Sequence, residues 1–344
     1  MSAGVNRIGV STVTAGAVIS GTARTGAVMT SVLAALTSAA FAQPFPSKPL
    51  RMIVPWTPAG TVDIAARHLS ERMTARLGQA VLVDNRPGAT GTIGSQLVVR
   101  APADGYTLLV MSATVHTFAP NLFKAFPFDP IDDFTPISQI VNFPYVMVVS
   151  AASPYRSVAD LVAAARKEPG KLSYASFGQG SAPYLISELF SMQSGTQLIH
   201  VPYKGAAQAI TDLLGGQITF FIDSLPSPIS QVRAGKLRAL SVTTAKRSTQ
   251  LPDVPTMGET IPGFEAIAWL GIAAPPKSPA PVVQRLHEEL RQIAGEAEYG
   301  AKLRDIGLDP VASASPEAFR KFLIAHKTYW GEFVKRAKIP MGDF

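Results

Sequence analysis

Apolar and polar residues follow two rhythms along this chain. PLRMIVPW, from Pro49, is a short apolar, β-branched run stopped by proline, which predicts a buried strand. From Val62, VDIAARHLSERMTARLG places its apolar residues at helical spacing and ends on Gly78, a residue suited to a helix C-cap. The patterns recur as strand AVLVDN, the turn-rich RPGATG leading into helix TIGSQLVVRAP, and strand YTLLVMS. In the middle, YVMVVS predicts a strand, SVADLVAAARKE a helix capped by Ser157, KLSYASFGQGS a strand and turn, and Pro183 to about Gln193 a helix. QLIHVPY, AAQAITDLLGG, QITFFID and LRALSVTT predict strand, helix, strand and strand. Residues 250–263, LPDVPTMGETIPGF, read as a long loop. After a last strand in AIAWLGIAAP come two helices, PVVQRLHEELRQIAGEA and SPEAFRKFLIAHKTYWGEFVKRA.

Strand-helix alternation of this kind predicts an α/β sheet with crossover connections, and no solenoid-length repeat interrupts it. The length of 344 residues leaves room for two lobes. If the last strand and the closing helices return to the first lobe, the chain crosses between lobes near 143 and near 266. Residues 43–143 with 267–344 then form lobe 1 and residues 144–266 form lobe 2. Two such crossings make a hinge beside a cleft, a geometry suited to closing on a ligand.

Residues 1–42 carry Arg7 and Arg24, no acidic residue, and the apolar segment GAVMTSVLAAL. That segment is too short to span a bilayer, and Ala40 and Ala42 stand at the positions of a small-residue cleavage site, so a secretory signal peptide is expected there. Export to the periplasm follows. Cysteine is absent, which excludes disulfides, thiolate metal sites and a cysteine nucleophile. Formal charge is +7, or +5 without the two leader arginines. The basic residues are scattered and not interleaved with aromatics, which disfavours nucleic acid and leaves a small anion as the fitting partner.

The chemistry concentrates at strand-to-helix junctions. In VPWTPAGTVD a strand ends, the chain turns through Pro58, Ala59 and Gly60, and a helix begins, leaving first-turn amides open to an anion. Asp63, near the third helical position, is placed to bond back to the loop backbone. DNRPGATGTIGS spaces Gly88, Gly91 and Gly94 by three at a second junction; it is not GxGxxG and has no Walker lysine. SFGQGSAPY makes a third such turn and adds the hydroxyls of Ser176 and Ser181. Asp223 ends QITFFID, where either a cleft-facing role or turn capping suits it. Lys204 is either solvated or a partner for a second ligand carboxylate. Trp56 suits a cleft wall or hinge packing, and Trp269 and Trp330 suit the core. The five histidines, 68, 116, 200, 287 and 326, have no metal spacing. GQGSAP lacks the GxSxG elbow, so an exported hydrolase using Ser181, His200 and Asp223 stands only as an alternative.

PFPSKP, PAGTVDIAAR, VDNRPGATGTIGS, APADGYTLL, SFGQGSAPYLISELF, HVPYKGAAQAITDLLGGQI, AGKLRALSVTTAKRS, LPDVPTMGE and PGFEAIAWLGIAAP recur here in the order seen in one family. Nearly end to end, the chain resembles the tripartite tricarboxylate transporter substrate-binding proteins, or Bug receptors. The resemblance implies an α/β, two-lobed periplasmic binding protein of type II-like build, each lobe a sheet flanked by helices, without catalytic activity, cofactor or metal. It implies a carboxylate gripped in the cleft by Pro58, Ala59, Gly60 and Thr61 and by Ala89, Thr90 and Gly91. Gly178, Gly180 and Ser181 would contribute from the other lobe, with Tyr203, Lys204 and Asp223. Trp56, Asp63, Ser112 and Ser176 complete the expected ligand-binding set. Implied partners are a small organic anion and either a membrane permease or, in an accessory role, a sensor kinase; the protein is expected to be a monomer. The chain departs from the family pattern at Ala59 and Thr90, where paired glycines are usual, at Tyr184 in place of histidine, and at Gln208 in place of proline. These changes bear on the side-chain half of the pocket.

Overall fold

The computed structural model describes residues 45–343, and the expected leader at residues 1–42 lies outside the described residues. The chain opens with β1 (Leu50–Val54), α1 (Thr61–Leu77), β2 (Val81–Asn85), α2 (Thr92–Val99) and β3 (Thr107–Ser112). A π-helical turn, Thr114–Phe118, and a 3-10 turn, Ala119–Asn121, lead towards the long strand β4 (Thr135–Ser150). Then follow α3 (Val158–Lys167), β5 (Ser173–Ser176), α4 (Ala182–Ser194), β6 (Ile199–Pro202), α5 (Ala206–Leu214) and β7 (Phe220–Ser224). The remainder is α6 (Ile229–Arg233), β8 (Leu237–Val242), α7 (Met257–Thr260), β9 (Ile267–Ala274), α8 (Ala280–Ala294), α9 (Ala297–Asp305), β10 (Asp309–Pro310) and α10 (Pro316–Arg336).

The strands order as β2-β1-β3-β9-β4-β7-β5-β6, with β8 and β10 also paired to β4. Strands joined by crossover helices pair in parallel: β1 with β2 and β3, and β5 with β6 and β7. β4 and β9 run antiparallel to their neighbours and join the two parallel groups. The first part of β4, Thr135–Pro144, pairs with β9, and the rest, from Tyr145, pairs with β7 and β8. Beyond Tyr145 its side chains alternate between two cores, Met147 and Val149 in the larger and Val146 and Val148 in the smaller. Both faces of the sheet are therefore covered there, which is why YVMVVS has no polar alternation.

Local signals place the helices. α1 stops at Gly78, which takes the left-handed conformation (φ 65°) and donates its amide to the Thr74 carbonyl at 3.1 Å. Ser157 and Asp160 form a reciprocal capping box at the start of α3. Two segments differ from the expectation. The first part of β4, TPISQIVNFP, holds Pro136 and Pro144, which cannot donate to a ladder; register shifts after Pro136 and Gln139 accommodate the pairing. Within residues 250–263, Thr256 and Glu259 make a second capping box and turn part of the expected loop into α7.

Candidate functional site

The junction after β1 is organised by one carboxylate. Asp63 is buried at the third position of α1, where its Oδ2 accepts from the Ala59 amide and from Arg67 Nε, each at 2.9 Å. Its Oδ1 accepts from Asn85 Nδ2 at 2.9 Å, and the same Asn85 amide donates to the Trp56 carbonyl at 3.1 Å. Burial opposes ionisation, but the bonds from Arg67, Ala59 and Asn85 outweigh it and hold the Asp63 carboxyl below the usual carboxylate value. Asp63 thus ties both sides of the turn to β2, and its negative charge stands within the first turn of the helix. Gly60 provides no side chain to cap α1, so the amides of its first turn are left for another partner.

The second junction is strained. Gly88, Ala89, Thr90 and Gly91 all have positive φ, at 126°, 44°, 52° and 88°, and Ala59 of the first junction has φ 64°. For residues with a Cβ this region costs about 1–2 kcal/mol each, and such residues gather where a loop is held for function. Gly91 also has no room for a side chain: a Cβ there would lie 2.8 Å from Val115 Cγ2 and 3.3 Å from the Pro55 carbonyl.

Both junctions border a cavity of about 530 Å³ that lies over β3, β9, β4 and β7. Trp56, Thr61 and Val62 line it from the first junction, Thr90 from the second and Ser112 from the end of β3. Opposite them stand Gly178 to Pro183, so that the first turn of α4 meets the same space as the first turn of α1. Asp223 and Ser224 close the far side. A Cβ at Gly180 would sit 2.9 Å from the Phe123 ring and 3.7 Å from Thr90 Oγ1, so the third turn approaches the second junction closely.

No lysine, arginine or histidine lines this cavity among the described residues. Two of its donors have no protein partner although they are buried: the Trp56 indole Nε1 and the Ser112 hydroxyl, the latter residue 5 % exposed. A buried donor without a partner is costly. Together with two uncapped helix N-termini, these groups make a seat for negative charge from neutral donors. Asp223 is 4 % exposed, and its Oδ1 accepts from the Ser224 amide at 2.8 Å. Burial pushes its carboxyl up to about 6, only partly offset by the hydroxyls of Ser227 and Ser224 and by the Ser224 amide. Tyr145, also in the wall, has its hydroxyl pKa raised by burial and by the Asp223 charge, which keeps it a neutral donor.

Of the residues expected from the sequence, Trp56, Thr61, Thr90, Ser112, Gly178, Gly180, Ser181 and Asp223 line the cavity. Pro58, Ala59, Gly60, Ala89 and Gly91 do not; they shape the two junctions, with Pro58, Ala59 and Ala89 exposed. Asp63 acts behind the loop and does not face the space. Ser176 is fully buried, where its Oγ accepts from the Gly178 amide at 2.9 Å and meets His200 Nε2 at 2.5 Å, bracing the third turn. Tyr203 donates its hydroxyl to Asp212 Oδ2 at 2.9 Å, and Lys204 is exposed; neither reaches the cavity. Trp269 has the burial expected of a core residue and lines the cavity as well. Phe123, Phe143, Tyr145 and Phe177 were not singled out by the sequence and form much of the wall. The signal of Phe143 and Tyr145 is hidden because an aromatic in an apolar strand reads as core; Phe177, inside SFGQGSAPY, was the one within reach.

The hydrolase arrangement does not assemble. Ser181 Oγ donates to the Gly178 carbonyl at 2.6 Å and accepts from the Phe177 amide at 3.2 Å, while His200 is engaged with Ser176. Ser181 is a turn brace with its hydroxyl already committed.

A mixed α/β sheet with a chamber built from backbone and neutral donors defines a binding protein for a small solute. Residues 65–339 match the family model of the tripartite tricarboxylate transporter family receptor, and the chain belongs to that family. It is 38% identical over 295 residues to the UPF0065 protein in the tcbD-tcbE intergenic region of Pseudomonas sp. strain P51, covering 84% of this chain and 86% of that protein. The structure of R. palustris Rpa4515 with adipate superposes with a TM-score of 0.80 at 35% identity, covering 86% of this chain and 99% of that one. The periplasmic binding protein BugD gives a TM-score of 0.76 at 34% identity, over 86% and 99% of the two chains. The fold is that of periplasmic binding proteins, and the chain belongs with receptors and not with enzymes.

Proposed function

We propose that this protein captures a small organic carboxylate in the periplasm and presents it to a membrane permease of the tripartite tricarboxylate type, after export led by residues 1–42. The observation that carries this reading is the pairing of two buried, partnerless donors, Trp56 Nε1 and Ser112 Oγ, with the uncapped first turn of α1 on one cavity. A carboxylate accepts several hydrogen bonds at once and satisfies such a set, and neutral donors hold it without a buried lysine or arginine. The similarity to a receptor bound to adipate supports the same chemistry. Residues 43–143 with 267–344 serve as one lobe and 144–266 as the other, with β4 and the segment entering β9 as the hinge. Contacts made from both sides, by Thr90 and by the turn at Gly180, favour the closed form when ligand is present.

Titration calorimetry of ligand-stripped protein against mono-, di- and tricarboxylates tests the reading. A carboxylate binding near the micromolar range, about −8 kcal/mol, is expected. Absence of binding across all three classes refutes it.

A further inference from the structure

Beyond α10 the chain turns back towards the cavity. Ala337 caps the helix, and Lys338 takes the left-handed conformation at φ 52°. The Lys338 amide donates to the Lys335 carbonyl and the Ile339 amide to the Val334 carbonyl, each at 3.1 Å. This pair of bonds is the helix-ending reversal in which glycine usually stands where Lys338 does. A Cβ is unfavourable there, and the burial of Ile339 in the core holds the turn in place.

The reversal carries residues 340–343 alongside residues 122–124. Gly342 pairs in parallel with Phe123: its amide donates to the Leu122 carbonyl at 2.9 Å, and its carbonyl accepts from the Lys124 amide at 3.0 Å. Lys124 Nζ meets Asp343 Oδ1 at 3.1 Å in an exposed pair. Between these anchors the Pro340 carbonyl accepts from Gln179 Nε2. Gln179 belongs to the third turn, and both Gln179 and Phe123 line the cavity.

In the lobe division proposed above, Phe123 and residues 340–343 are on lobe 1 and Gln179 is on lobe 2. The two sides meet closely. A Cβ at Gly180 would lie 2.9 Å from the Phe123 ring, and a Cβ at Gly342 would lie 3.2 Å from Gln179 Oε1 and 3.6 Å from Phe123 Cδ1. The returning segment therefore backs the one lobe 1 aromatic that the third turn touches, and it also bonds the third turn itself.

We infer, resting on the two-lobe closure read above, that residues 340–343 are a latch that holds Phe123 in the cavity wall and, through Gln179 and the Pro340 carbonyl, holds lobe 2 closed over the solute. Gln179 is a positioning residue for the closed form. Its bond to Pro340 forms when the third turn reaches lobe 1, so its contribution counts towards closure alone. One neutral hydrogen bond of this kind corresponds to a change of about threefold to tenfold in the closed population.

Spin labels on the two lobes test this. The chain has no cysteine, so Leu97→Cys on α2 and Ala207→Cys on α5, both at exposed positions, label one lobe each. Double electron-electron resonance reads the distance between them, with and without adipate at neutral pH. Gln179→Met keeps the length of the side chain and removes the donor; Gly342→Pro removes the amide that anchors the segment. Each is expected to move population from the shorter to the longer distance about threefold or more. The double variant should shift no further than either alone, because both break one bridge. A merely structural role would lower Tm and leave the distances populated as before. An unchanged distribution in Gln179→Met in both conditions overturns the inference, and so do shifts that add in full. If adipate shortens the distance equally in parent and variants, closure stands and the latch falls. If calorimetry finds no carboxylate bound, the carboxylate reading falls, and the distances without adipate decide for or against the latch.

Discussion

Asp223 is a carboxylate that the fold alone does not favour, and removing its charge measures by how much. Burial raises its carboxyl from an ordinary value of 3.8 to about 6. A difference of about two units corresponds to about 3 kcal/mol of linkage between ionisation and folding. Because the folded value is the higher one, the folded chain holds the proton more tightly than the unfolded chain. Stability from this group is full below about pH 4, falls as the pH climbs through about 6, and is constant above. Asp223→Asn keeps the shape and the acceptor for the Ser224 amide. It removes the charge but introduces an amide NH₂ needing its own partner, which lowers the gain to about 1–3 kcal/mol. For a folded body of this size that is a rise in Tm of about 2–5 °C. Ligand-free wild type and variant are compared by calorimetry at pH 7.5 and at pH 4. The variant should melt higher at pH 7.5, and the two should converge at pH 4, where the wild-type group is protonated. An equal gain at both pH values, or none at pH 7.5, refutes the assignment of a buried ionised acid.

The two junctions supply the other tests. Asp63→Ala removes two charge-assisted bonds, from the Ala59 amide and Asn85 Nδ2, and an Arg67 contact that is exposed on its basic side. A loss of about 3 kcal/mol, or about 5 °C, is expected at pH 7; since the Asp63 carboxyl is held low, denaturant melts should show the loss shrinking as the pH falls below about 4. Ala59→Gly places glycine at φ 64° and should stabilise the chain by about 1 kcal/mol in a urea titration. Gly180→Ala presses a methyl group to within 2.9 Å of the Phe123 ring. It should weaken carboxylate binding roughly tenfold in calorimetry and lower Tm by about 2–5 °C.

The supporting frame was more legible than the pocket wall. Periodicity located α1, its stop at Gly78 and the parallel strands, because these follow from local spacing and capping. The donor character of the first junction was also readable: Asp63 at the third helical position has an acceptor's reach to the loop, as its bond to the Ala59 amide bears out. By contrast, Pro136 and Pro144 hid the first part of β4, and only pairing with β9 across two register shifts makes it a strand. The aromatic wall was hidden for a different reason. Phe143 and Tyr145 sit two apart on β4 and so share a face, and nothing in an apolar strand tells a face packed on a helix from one opening on a cavity.

The junction residues divide the work of shaping the cavity in a way that their types alone do not suggest. Ala59 and Thr90 occupy left-handed backbone positions, where the related pattern has glycine and where a Cβ adds strain. At Ala59 that strain supports no contact with the cavity, since the residue is exposed and only its amide is used. At Thr90 the same strain brings a side chain to the cavity, close to where Gly180 approaches from the other side. Glycine at 59 should therefore be a gain in stability alone, whereas glycine at 90 exchanges stability for a lost wall. The contrast separates backbone that merely holds the loop from backbone held so that a side chain can line the cavity.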